Sequence, residues 1–215
     1  MDTIVPVIFA LFVAFILFRM TRKSRARKRA DLIDAYPFPA RINEKIAETY
    51  PHLSKQDVDR VIEGLREYFH ICNTADNKVI SMPSQVVDVA WHEFILFTKK
   101  YDQFCNQALG RFLHHTPAEA MSTPTMAQKG IKTAWRLSCA REQVPSKNPT
   151  RLPLLFALDA ELRIPDGFTY ALNCKRTDQS SAHPYCASHI GCSSGDSAGE
   201  GGDGDSGCSG GCGGD

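Results

Sequence analysis

The chain has 215 residues, 43% of them hydrophobic and 23% charged, with a formal net charge of +1. A balance so close to neutral gives no overall charge signature of a nucleic-acid partner, and no Walker-type Gly-Lys-Ser/Thr phosphate loop occurs. The neutrality hides an asymmetry, basic near the start and acidic near the end.

The first element is an unbroken apolar run, Ile4 to Phe18, followed by Arg19, Arg22, Lys23, Arg25, Arg27, Lys28 and Arg29. A run that is apolar on every side is not the face of an amphipathic helix. Met1 to Met20 would rise about 30 Å as a helix, one hydrocarbon core. Asp2 before the run, and Phe18-Arg19-Met20 after it, are the wrong flanks for a cleaved signal peptide. The reading is a single-pass transmembrane anchor over 1–20 and a basic juxtamembrane segment over 21–30. The basic residues contact anionic lipid, with the N-terminus outside and the rest in the cytoplasm at the inner membrane. Beside an anchor, the basic block reads as a topology signal, and no nucleic acid is expected. In that compartment the eight cysteines are thiols rather than disulfides.

Residues 31–178 read as an all-α domain. A short helix carries Ile42, Ile46 and Tyr50 and stops at Pro51. Next, Ser54 and Asp57 form a capping-box variant that opens a helix to Cys72, with Val58, Val61, Ile62, Leu65, Tyr68 and Phe69 on one stripe. A helix over about 84–109 follows, with Val87, Ala90, Trp91, Phe94, Tyr101, Phe104 and Cys105 on a broad face, and Gly110 ends it. Thr123-Pro124 opens another helix, and a last one spans roughly Pro153 to Leu162. Residues 179–215 form a Gly/Ser/Cys/Asp-rich tail, too poor in apolar side chains to offset its ordering entropy, and expected to be disordered.

Two constellations carry chemistry. The first is Asp88, Trp91, His92, Tyr101, Cys105, His114 and His115. Asp88 and His92 lie one helical turn apart, so the carboxylate can orient the imidazole, and a histidine after Gly110 can fold back toward them. The plainer reading is a polar contact beside a packed core. Cys105 lies about 220° round a straight helix from His92, which excludes a simple Cys–His dyad. His92-Glu93 opens like a zinc-protease helix, but Leu96 stands where the second histidine belongs. The second constellation is His183, Cys186, His189 and Cys192 in the tail, donor types that suit zinc.

The segment Val86-Val87-Asp88-Val89-Ala90-Trp91-His92, with Tyr101, Cys105, Gly110 and His114-His115-Thr116-Pro117, resembles the glycine-rich domain-containing protein-like family. The resemblance covers mainly residues 83–118 and implies a shared site at Asp88, His92 and His115, without supplying a reaction. The glycine-rich end likewise resembles the tails of bacterial membrane proteins with such a domain. The function expected is a membrane-anchored interaction or scaffolding module with an unidentified protein partner. Metal binding, through the tail or through Asp88, His92 and His115, is the alternative, with zinc as the cofactor those ligands suit. An enzyme working at the Trp91-His92 helix is the weaker alternative.

Overall fold

Ser54 and Asp57 start the helix around which the others pack. In the computed structural model the Asp57 carboxylate accepts from the Ser54 N–H at 2.9 Å and the Ser54 hydroxyl at 2.7 Å, while the Asp57 N–H donates back to Ser54 Oγ at 3.2 Å. That closed box satisfies two donors a helix start leaves open. The structure describes residues 4–75, 78–115, 124–172, 185–186 and 190, with the side chains at 4–8, 10–11, 124–127 and 185–186 outside the described set. Their elements are α1 (Ile4–Ala35), α2 (Ala40–Thr49), α3 (Lys55–Ala75), α4 (Gln85–Leu96), α5 (Thr98–Phe104), a π-helical turn (Cys105–Leu109), α6 (Pro124–Arg141) and α7 (Leu154–Glu161). Two residue pairs, β1 (Tyr170–Ala171) and β2 (Tyr185–Cys186), lie parallel with Tyr170 opposite Tyr185. The domain is all-α, as the patterning predicts, and this short pairing is the strand content among the described residues.

α3 touches α1, α2, α4, α6 and α7. Gly64 makes its closest approaches possible. A Cβ there would stand 2.5 Å from Leu158 Cδ1 on α7 and 2.9 Å from Val87 Cγ2 on α4, inside the packing distance of real side chains. The core between them is aromatic. Phe69, Phe94 and Phe104 are fully buried, and Phe38 and Tyr36 pack on them with centroid separations of 4.7–6.2 Å.

The expected N-terminal span finds no support in the structure. Among the described residues no helix is long and apolar enough to cross a membrane. The side chains at 4–8 and 10–11 of the expected span lie outside the described residues. α1 continues without a break through the basic segment and docks on the domain. Ile33 is fully buried, and Arg66 donates to the carbonyls of Ile33 and Tyr36. His70 on α3 meets Asp34 at 2.7 Å. Arg29 therefore differs from the exposed Arg19–Lys28 set, because its guanidinium packs against Gly110.

The long helix expected over 84–109 is three pieces. Phe97, at φ −79° and ψ 54°, leaves the helical region after Leu96. Trp91 and Tyr101 would be about 15 Å apart along an unbroken helix. The bend instead lets the Trp91 Nε1–H donate to the Tyr101 hydroxyl at 3.1 Å. After the π turn, Gly110 at φ 71° accepts the left-handed geometry and reverses the chain.

Candidate metal centre

α4 starts where α7 holds it. The buried Asp159 carboxylate accepts from the Ser84 hydroxyl (2.7 Å) and from the backbone N–H groups of Gln85 (2.7 Å), Val86 (3.2 Å) and Phe168 (2.9 Å). A carboxylate at a helix N-terminus is favoured by both hydrogen bonding and the helix dipole. This anchor fixes the first turns of α4, and Asp88 and His92 with them.

The other ligand arrives on the return strand of chain after Gly110. The Tyr101 hydroxyl, already accepting from Trp91, donates to the Leu113 carbonyl at 2.5 Å. Burial pushes the Tyr101 phenol well above its usual range, so it remains a donor. His115, two residues on, then lies with its ring 4.6 Å from that of Trp91, edge to face.

Its Nε2 meets Asp88 Oδ1 at 3.1 Å and His92 Nε2 at 2.9 Å, and His92 Nε2 is 3.7 Å from Asp88 Oδ2. The three residues form a group whose ligand atoms all lie within 4.8 Å of one another. The two histidines approach different oxygens of the carboxylate, His115 toward Oδ1 and His92 toward Oδ2. Either imidazole can donate an Nε2–H within this group, and the same three side chains can close on a cation. Side-chain exposure grades across the site, 16% for His115, 20% for Asp88 and 52% for His92. The ligand set is held on the protein side and open on the His92 side.

The remaining residues of the constellation have other places. Cys105 is fully buried beside Tyr101 and the Leu113 backbone, and burial raises its thiol pKa; Cys72 is likewise buried and pushed up to about 12. Both are core thiols. His114 turns away from the trio, its ring 4.7 Å from that of Phe112. It lines a cleft of about 250 Å³ with Tyr68, Cys72, Lys78, Trp91 and Arg111. His115 borders both this cleft and a second depression on the α2–α4 side. Of the tail set, His183, His189 and Cys192 lie outside the described residues, and Cys186 is described only as backbone in β2. Asp159 was not singled out from the sequence. Its signal, an acid in the apolar stretch Leu154–Ala160, points to a buried partner for a charge.

The fold and the site define an all-α domain that gathers two histidines and one carboxylate at the foot of a kinked helix. The chain belongs to the UCP032817-like family, whose model matches residues 28–190. This replaces the glycine-rich domain-containing family suggested by residues 83–118. A short Asp-x-x-Trp-His segment reflects the needs of one local site, whereas the matched stretch covers the packed helices. It begins in the basic half of α1 and ends at Ile190, before Cys192. No curated protein and no solved structure matches the chain.

Proposed function

We propose that this protein is a membrane-attached module that binds a divalent transition metal through Asp88, His92 and His115. The convergence of three ligand atoms within 4.8 Å carries the reading. Three protein ligands with an open side are the pattern of reactive rather than purely structural metal sites, and two imidazoles with one carboxylate suit Zn²⁺ or Fe²⁺. Tyr101 and Trp91 support the ligands by holding the Leu113–His115 segment, a role that outer groups of metal sites commonly play. An interaction or scaffolding role has no comparable group of residues behind it.

Membrane attachment rests on Ile4–Phe18, whose described side chains are exposed, with Phe9, Phe12, Phe15, Leu17 and Phe18 all more than half accessible. Exposed apolar surface of that extent, continued by exposed basic residues from Arg19 to Lys28, suits a bilayer and its anionic face. Attraction of the basic side to the anionic cytoplasmic leaflet would place the domain in the cytoplasm.

Cobalt substitution tests the metal reading on the full chain. Co²⁺ bound to histidine and carboxylate gives weak visible bands without the strong near-ultraviolet absorption of cobalt–thiolate bonds. One Co²⁺ per chain with that spectrum, lost in His115→Ala, is the expected result. A spectrum dominated by thiolate absorption and indifferent to His115→Ala would move metal binding to the cysteines and end this reading.

A further inference from the structure

The open side of the metal centre faces a depression of about 520 Å³ between the C-terminal end of α2 and the second half of α4. His92 and His115 line it, so two of the three metal ligands form part of its wall. A volume of this size falls in the range of small-molecule sites. Val89, Ile95 and Leu96, on the same helix as His92, add apolar lining beside it. Leu96 is 72% exposed, although it ends a helix whose other large apolar residues are buried or partly buried. Lys45 stands at the α2 side, and it takes no part in the ion pairs by which Arg41 holds Glu44 and Glu48 on the same helix.

Charge and shape together define an occupant. A divalent ion held by one carboxylate and two neutral imidazoles leaves a local charge of +1, and Lys45 adds another. Glu93 also lines the depression, and Arg41, 3.9 Å from it, is shared with Glu44 and Glu48, so the place for an anion is set by the open coordination side of the ion and by Lys45. The apolar residues accept a short hydrocarbon.

We propose that the depression binds a small monocarboxylate with an apolar chain. Its carboxylate lies between the metal ion and Lys45, and its chain lies along Val89, Ile95 and Leu96. The proposal rests on the metal reading above and names the ligand class of the same site. No reaction of the ligand is included.

The test uses the full chain, Co²⁺ and hexanoate, a probe too short to partition strongly into detergent or lipid. Hexanoate should shift the visible spectrum of the cobalt-loaded protein saturably. Lys45→Ala should weaken that response at least tenfold and Leu96→Ala at least threefold, each leaving Co²⁺ affinity within about twofold. Acetate, which lacks the chain, should bind at least tenfold more weakly than hexanoate. Cobalt loading with no spectral response to hexanoate overturns this proposal and leaves the metal reading standing. Failure to load cobalt at the histidines overturns both. A response equal for acetate and hexanoate, or unchanged in Leu96→Ala, shows carboxylate binding to the metal alone and removes the apolar site.

Discussion

Replacing Asp159 by Ala tests whether α7 holds the helix that carries Asp88 and His92. The wild-type carboxylate is 3% exposed and takes four hydrogen bonds, three of them from Ser84, Gln85 and Val86 at the α4 start. A hydrogen bond to a charged group contributes about 1.5–3 kcal/mol, and a lost helix cap about 1 kcal/mol. Four bonds on one carboxylate do not add independently, and removing a buried charge recovers part of its desolvation cost. The donors left without a partner outweigh that relief, so the net loss should be about 4 kcal/mol. For a domain of this size, that lowers Tm by about 12 °C. Asp159→Asn keeps the shape and one acceptor oxygen but turns an amide N–H₂ toward a donor, so its loss should be about half as large. Thermal denaturation followed by circular dichroism reads both variants. Asp88 lies in the first turn of α4, so cobalt affinity of the folded Asp159→Ala protein should fall as well. A Tm within 2 °C of wild type would refute the argument that this carboxylate organises α4.

Tyr101→Phe removes the hydroxyl joining Trp91 to Leu113, and should lower stability by about 1–2 kcal/mol and Co²⁺ affinity by about tenfold; unchanged cobalt binding by titration would show that His115 is placed by other contacts. Gly110→Ala forces a side chain into a left-handed position already covered by Arg29, and should cost more than the roughly 1 kcal/mol of the backbone conformation alone, read from urea midpoints. Cys72 is fully buried with its thiol pushed up to about 12, and Cys139 is buried with its thiol pushed up to about 11. Both should resist iodoacetamide in the native protein at pH 8 and react after denaturation, as scored by peptide mass mapping. The sign for stability follows from proton counting. Above pH 9, near the ordinary thiol value, unfolded chains release thiol protons that the native state keeps, so stability falls as pH rises toward 11–12, and Tm at pH 10 should lie below that at pH 8. Lowering the pH should release Co²⁺ as protons compete for the imidazole nitrogens, and cobalt absorption that persists in acid would argue against histidine ligation.

Sequence spacing carried much of the helical architecture. Ser54 and Asp57 marked the α3 start because a capping box is a local interaction, complete within four residues. Gly110 was legible for the same reason, since the left-handed residue after a helix has a strong glycine preference. The approach of Asp88 to His92 follows from the helical repeat, and the place after the glycine points to a returning histidine without deciding between His114 and His115. The break at Phe97 was not legible. No proline or glycine marks it, and it is set by tertiary contacts that bury Tyr101 and Phe104. The Asp159 anchor joins residues more than seventy positions apart, beyond any local pattern. The family resemblance misled through the opposite fault. It gave weight to a thirty-six-residue segment and none to the packed surfaces that the match over 28–190 includes.

α1 runs unbroken from its apolar half into the core, with Phe18 exposed and Ile33 fully buried on the same helix. Fifteen residues of straight helix between them amount to about 22 Å. A rod of that kind works as a ruler rather than a tether. It sets the height of the domain above whatever surface receives Phe18, and it fixes which side of the domain turns toward that surface. A glycine-rich linker of the same number of residues would let the site sweep a hemisphere. Were Phe18 held at a surface, the rod would confine the site to one thin layer of solution, and what reaches Asp88, His92 and His115 would depend on what accumulates at that height.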